Sequence, residues 1–263
     1  MSKTKPDLRR MLLRLPHSRQ DYAAIMVISE LAGLLGADLV GTYVEDLAVQ
    51  ELASFPNARE FRAGSWQPVS ARQLARDAAL AAQDAERLFF KSAAGHRSNP
   101  LFRIAKTSAL SQEALADDII AMIDPKNPIE RATHQFNQFV RSAFSSASSI
   151  LLMPSRPPDA SGPIIVFATD PNDPSVDTAL DVAGPTGARI ILIAPEMSNE
   201  IRKKAQDKGL GLSVGKAVFR DEEILLPAAI RGRLLIMNRR YVPDRPRSLQ
   251  IPTLLVSTNS QTV

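Results

Sequence analysis

A chain of 263 residues with 44% hydrophobic and 23% charged positions carries material for a sizeable core, which excludes a disordered polymer. Its 32 Lys and Arg against 28 Asp and Glu make a mixed surface of formal net charge +4, not the polycation that binds nucleic acid by charge alone. There is no cysteine, so disulfides, thiolate metal sites and cysteine nucleophiles are excluded, and the polar opening MSKTKPDLRR with no long apolar run after it predicts a cytoplasmic protein with no membrane partner.

In chain order, Met11 to Leu15 reads as a strand broken at Pro16. Asp21 to Leu35 reads as a helix, with apolar Ile25, Ile28, Leu31, Ala32 and Leu35 at three- and four-residue spacing and Gly36 as its stop. Leu39 to Val44 is the next strand. Leu47 to Pro68 has the irregular spacing of a long ordered loop, whose Phe55, Phe61 and Trp66 are expected to cover the core, the alternative being a contact with another chain. Ser70 is a suitable N-cap for a helix to Ala94 with a stripe of Leu74, Ala78, Ala81, Ala85 and Leu88. A strand over Leu101 to Ala105, a short helix over Ser111 to Ala116, a strand over Ile119 to Ile123, a helix over Arg131 to Ala147 and a strand over Ile150 to Met153 follow. Asp117 and Asp118 read as a solvated helix end.

The stretch SRPPDASG, from Ser155 to Gly162, reads as a linker and divides the chain into domains 1–156 and 157–263. Beyond it, strands are predicted over Ile164 to Ala168, Arg189 to Ala194, Leu212 to Val218, Leu234 to Met237 and Thr253 to Ser257. Helices are predicted over Pro174 to Ala183, Ser198 to Lys208 and Asp221 to Ile230. Pro243, Pro246 and Pro252 fall between the last two strands, so a helix there is missing or reduced.

Gly162 to Pro195 restates the pattern of Arg10 to Glu45: apolar strand, polar turn with Pro and Ser, helix ending in Gly-Ala, apolar strand. Two further pairs of segments repeat the end of such a unit, DDIIAMID with SSILLMP and RLLIMNRR with IPTLLVS. Taken together these residues resemble the universal stress proteins in a tandem form. The resemblance implies an α/β chain of two Rossmann-like, adenine nucleotide α-hydrolase-like domains, each a mostly parallel sheet flanked by helices. It also implies a stress-response or regulatory binding module, not an enzyme.

ATP-binding members of that family place an Asp at the end of the first strand and a glycine loop after the fourth. Glycine lets backbone N–H groups approach phosphate at a helix N-terminus. In the first half Pro16 or His17 stands where the Asp would, and the loop reads Asp124-Pro125-Lys126-Asn127-Pro128, without glycine. In the second half Asp170 matches the family Asp, but the loop Asn238 to Arg247, NRRYVPDRPR, again lacks glycine. The expectation is therefore no cofactor and no ATP hydrolysis. The alternative is a second half that binds ATP, another adenine nucleotide or a phosphoanion through Asp170, Arg239 and Arg240, aided by Arg245 and Arg247. The same arginines also fit a solvated loop paired with Asp244.

No catalytic or metal residue is assigned. His17, His96 and His134 lack metal-ligand spacing, and Ser18 beside His17 lacks the GxSxG elbow of a serine nucleophile. Trp66 and the tyrosines do not interleave with the arginines as a nucleic-acid stacking surface would. The resemblance implies pairing of the fifth strands, here Ile150 to Met153 with Leu254 to Ser257, as an intramolecular pseudo-dimer. A homodimer or a further protein partner is left open.

Overall fold

The computed structural model of the chain describes residues 10–15, 22–45, 55, 57–62, 64–95, 99–105, 113–146, 148–157, 162–193, 198–215, 218–220, 223–225, 232–242 and 251–257. The N-terminal half runs β1 (Arg10–Arg14), α1 (Ala23–Leu35), β2 (Asp38–Val44), β3 (Arg59–Arg62), β4 (Ser65–Pro68), α2 (Ala71–Ala93), β5 (Pro100–Ala105), β6 (Ile119–Asp124), α3 (Pro128–Ala132), α4 (His134–Ser145) and β7 (Ser149–Pro154). The C-terminal half runs β8 (Ile164–Phe167), α5 (Pro174–Thr186), β9 (Ile190–Ile193), α6 (Ser198–Asp207), β10 (Leu212–Val214), β11 (Val218–Arg220), β12 (Glu223–Leu225), β13 (Leu234–Asn238), a 3-10 turn at Arg239–Tyr241, and β14 (Thr253–Val256).

Ten strands form one sheet in the order β10-β9-β8-β13-β14-β7-β6-β1-β2-β5. Every neighbouring pair is parallel except β14 with β7, which is antiparallel with Leu254 opposite Leu151 and Leu255 opposite Ile150. The expected meeting of Ile150 to Met153 with the segment from Leu254 therefore occurs within one chain. Outward from that junction both halves place their main strands in the same order: fifth, fourth, first, second, third.

Parallel strands covered on both faces need unbroken apolar runs. MLL in β1, IIAMI in β6, ILLM in β7, IIVF in β8 and LLIM in β13 are such runs, and all are buried. Alternate residues point to opposite faces. Met11, Leu13, Ile119, Leu151, Ile164, Ile236 and Leu254 share one core with α1, α2, α5 and α6. Leu12, Ile120, Leu152, Ile165, Leu235 and Leu255 share the other with Phe139 and Ala143 of α4. Both α1 and α5 end on a left-handed glycine, Gly36 at φ 69° and Gly187 at φ 62°, the conformation glycine adopts without a Cβ clash. The Gly-Ala repeat read in the sequence is thus a pair of equivalent helix stops.

Several expectations are corrected. The long ordered loop contains a ribbon, β3 paired antiparallel with β4, in which Phe61 faces Trp66. Their rings meet edge to face at 5.5 Å, but Trp66 is 65% exposed and Phe61 63%, and Phe55 is exposed too, so these aromatics do not cover the core. Of the predicted helix from Asp221 to Ile230 only residues 223–225 are described, and they form β12, paired antiparallel with β11. The predicted helix from Arg131 is two helices. Thr133 has extended backbone (φ −63°, ψ 144°) and its hydroxyl accepts from the Phe136 amide at 3.2 Å, capping α4. On α2 the Ser70 cap is present, accepting from the Gln73 amide at 3.3 Å, but the buried positions are Ala82, Ala85, Phe89 and Ala93, and Ala81 is exposed.

Asp118 is no solvated helix end. Its side chain is fully buried, accepts a bidentate pair from Arg10 at 3.1 and 2.6 Å, and takes the Leu115 amide at 2.9 Å. The hydrogen bond to Asp118 raises the Arg10 pKa above its ordinary value. Of the Ser111 to Ala116 helix only residues 113–116 are described, with a helical conformation at Glu113 alone. Residues 155–157 and 162 of the linker hold neither helix nor strand. Among the described residues no helix is long and apolar enough to cross a membrane.

Two predictions follow from packing. A Cβ on Gly41 of β2 would lie 2.6 Å from the buried Phe89 ring. Gly41→Ala should therefore cost about 1–3 kcal/mol in urea unfolding, as overpacking of a tight core does, and Phe89→Leu in the same chain should recover part of that loss. Equal stability of G41A and wild type would show that the contact is slack. Trp66 is the single tryptophan of the chain. Its emission should resemble that of indole in water and move little on unfolding, whereas a large red shift in urea would mean that the ring is covered.

Candidate functional site

In an open α/β sheet, ligands bind beyond the carboxyl ends of the strands where strand order reverses. Here those points lie between β1 and β6 in the N-terminal half and between β8 and β13 in the C-terminal half.

At the second point, β8 runs into Ala168, Thr169 and the turn Asp170 to Asp173, which opens α5. Asp173 is the N-cap: its Oδ1 accepts from the Ser175 amide at 3.0 Å and the Ser175 hydroxyl at 2.7 Å, and Pro174 fills the first helical position. This carboxylate is buried and also faces β13. Asn238 Nδ2 donates to its two oxygens at 3.4 and 3.3 Å, and an Arg240 amino group donates at 3.4 Å. Asn238 Oδ1 in turn accepts from the Arg240 amide at 3.0 Å, fixing the start of the 3-10 turn. Arg240 donates to the Tyr241 hydroxyl at 2.6 Å and lies 4.8 Å from the centre of that ring, and the Tyr241 and Thr169 hydroxyls are hydrogen-bonded to each other. The Tyr241 ring stands edge-on to Phe167 at 4.9 Å, over the end of β8. The Tyr241 hydrogen bond raises the Arg240 pKa above its usual value, helped by the negative charges of Asp173 and Asp170.

The sequence-predicted residues separate here. Asp170 is exposed, with Oδ1 accepting from the Asn172 amide at 2.8 Å. Arg240 stays at the crevice, with its side chain 52% exposed. Arg239 turns the other way, into the N-terminal half. Its guanidinium donates to the carbonyls of Ala143 at 3.3 Å, Ser146 at 2.5 Å, Ser148 at 2.8 Å and Phe144, and lies 6.0 Å from the centre of the Phe144 ring. Those are carbonyls at and just beyond the end of α4, which a cation satisfies well. Burial lowers the Arg239 pKa from its ordinary value. Arg245, Arg247 and Asp244 lie outside the described residues.

Several of the described amides near this point are engaged by their own chain. Besides those of Asn172, Ser175 and Arg240, the Val242 amide donates to the Arg239 carbonyl at 3.0 Å. Thr169, Asp173, Asn238 and Tyr241 were not read from the sequence. Asp173-Pro174-Ser175 carries a local signal, an N-cap followed by proline. Asn238 and Tyr241 carry none, because their partners are 65 and 72 positions away.

At the first point the ends of the strands are also tied down. Arg14 donates to the Gln135 carbonyl and Oε1 at 3.4 and 3.3 Å and lies 5.8 Å from the Phe139 ring centre. Asp124 pairs with Arg131 at 3.2 Å, and Arg131 donates to the Pro125 carbonyl at 3.1 and 2.9 Å. Burial raises the Glu130 pKa, an effect that the charge of Arg14 opposes. Pro16, His17 and Ser18 lie outside the described residues, as does His96. Among the described residues no three acidic or histidine side chains are grouped as a metal ion would require.

No protein-family model matches the chain, and no curated protein matches it in sequence. Solved structures do. A universal stress protein from Archaeoglobus fulgidus DSM 4304 superposes with a TM-score of 0.60 at 11% identity, over 94% of this chain and 96% of that one. A functionally unknown protein from Pseudomonas aeruginosa PAO1 gives a TM-score of 0.46 at 15% identity, over 97% and 94% of the two chains. The coverage of the first match, with the mostly parallel sheet and its flanking helices, leads to one conclusion: this chain has the fold of a universal stress protein.

Proposed function

We propose that the chain is a universal-stress-protein-like stress-response or regulatory binding module, built of units 1–156 and 157–263, that does not hydrolyse ATP. One observation carries this reading. At the crevice between β8 and β13 polar groups of the described residues bond to one another: Asp173 with Ser175, Asn238 and Arg240, and Thr169 with Tyr241. A phosphate there would need free amides on glycine-bearing backbone, and the segment from Asn238 to Arg247 contains no glycine. The residues present therefore do not fit an ATP phosphate cradle, and no step through ATP is derived.

A second reading, nucleotide or phosphoanion binding by the C-terminal unit alone, is favoured by the half-exposed guanidinium of Arg240 beside Asp170. Titration calorimetry with ATP, ADP and AMP, with phosphate release followed in parallel, separates the two. The first reading expects neither saturable heat nor phosphate. Saturable heat that disappears in Arg240→Ala supports the second, and phosphate release would overturn the first.

The closed crevice also predicts a structural role for its carboxylate. Asp173→Ala removes an N-cap and leaves Asn238 without its buried acceptor, so urea unfolding should show a loss of about 2–3 kcal/mol. A loss below about 0.5 kcal/mol, the range of ordinary surface substitutions, would mean that the network contributes little to stability.

A further inference from the structure

The 3-10 turn Arg239–Tyr241 is three residues long, yet its side chains reach both halves. Arg239 holds the last carbonyls of α4, and Arg240 with Tyr241 closes the crevice on Asp173 and Thr169. The backbone between these contacts has little freedom. Asn238 is buried, its side chain accepts the Arg240 amide, and the Val242 amide closes the turn on the Arg239 carbonyl.

We infer that this turn is a lever that couples the crevice of the C-terminal half to the end of α4 in the N-terminal half. The inference rests on the second reading, in which the C-terminal unit binds a ligand at this crevice, and it concerns the regulation of that site. A ligand that draws Arg240 or Tyr241 away from Asp173 and Thr169 must rotate the turn, and the turn carries the guanidinium of Arg239 with it. The carbonyls of Ala143, Phe144, Ser146 and Ser148 then lose a charged donor, and the last turn of α4 frays. Coupling also runs in reverse, since two sites linked through one element affect each other equally. Loosening α4 frees Arg239 and relaxes the crevice. Arg233 pairs with Glu30 across the halves as well, but it sits at the opposite end of β13 and makes no contact with the turn.

Hydrogen exchange on the full chain, without any ligand, tests the lever independently of what the crevice binds. Tyr241→Phe and Arg240→Ala touch only the crevice contacts, and Arg239→Ala removes the far arm. All three should raise exchange at the amides of residues 142–146 by roughly tenfold, the scale of losing one hydrogen bond to a charged group. Exchange in α1 and β2 should stay as in the wild type. Three results would overturn the inference: Y241F and R240A that change exchange only around residues 167–175, R239A that leaves residues 142–146 protected, or a uniform rise across every element. Because no nucleotide is present, a failure of the calorimetric test would leave this measurement unaffected.

Discussion

Everything in this molecule hangs on the antiparallel pairing of β7 with β14. Each of these strands would otherwise be the open edge of a five-stranded parallel sheet, presenting a row of unpaired N–H and C=O groups beside Ile150, Leu151, Leu152, Leu254 and Leu255. Pairing satisfies the backbone and places those side chains in cores continuous across both halves. Burying each such side chain contributes about 1.5–3 kcal/mol, whereas a part-exposed ion pair such as Arg233 with Glu30 contributes about 1 kcal/mol or less. The apolar strands therefore determine that the halves meet, with Leu254 in register with Leu151, and the ion pair adds little.

The two strand-reversal points show how one scaffold can be closed in different ways. Near β8 and β13 the closure is a network centred on a buried carboxylate, with an asparagine and an arginine contributed from across the sheet. Near β1 and β6 it is made by arginines drawn onto neighbouring backbone and rings, Arg14 toward Gln135 and Phe139 and Arg131 toward Pro125. Arg239, adjacent to the first network, serves neither point and completes a helix end instead. Neighbouring arginines in sequence thus bind different parts of the molecule, because the backbone turn between them directs their side chains to opposite sides.

How much of this was legible in the sequence depended on the range of the interaction. Strands buried on both faces announce themselves as short apolar runs, and the stop at Gly36 and the cap at Ser70 are local chemistry legible in the sequence, whereas α5 runs past its expected end at Ala183, through Pro185, to its stop at Gly187. The β3–β4 ribbon rests on no core, so no alternation of burial marks it in the sequence, and its aromatics, which by type suit an interior, do not enter one. Asp118 was misread because its partner, Arg10, is 108 positions away. At the candidate site Asp170 matched a family pattern, but the carboxylate that organises the crevice is Asp173, whose helix-capping signal concealed a second set of partners on β13.

The central strand pairing also has a consequence for the birth of the protein. Met153 leaves the ribosome roughly a hundred residues before Leu254, which at about 5–20 residues per second amounts to some 5–20 seconds. An N-terminal half that folded during that interval would leave its apolar edge Ile150 to Met153 uncovered, available to any other nascent chain in the same condition. A sheet sealed by a strand made so long after its neighbour is most vulnerable to mispairing during synthesis, and prompt delivery of β14 protects it.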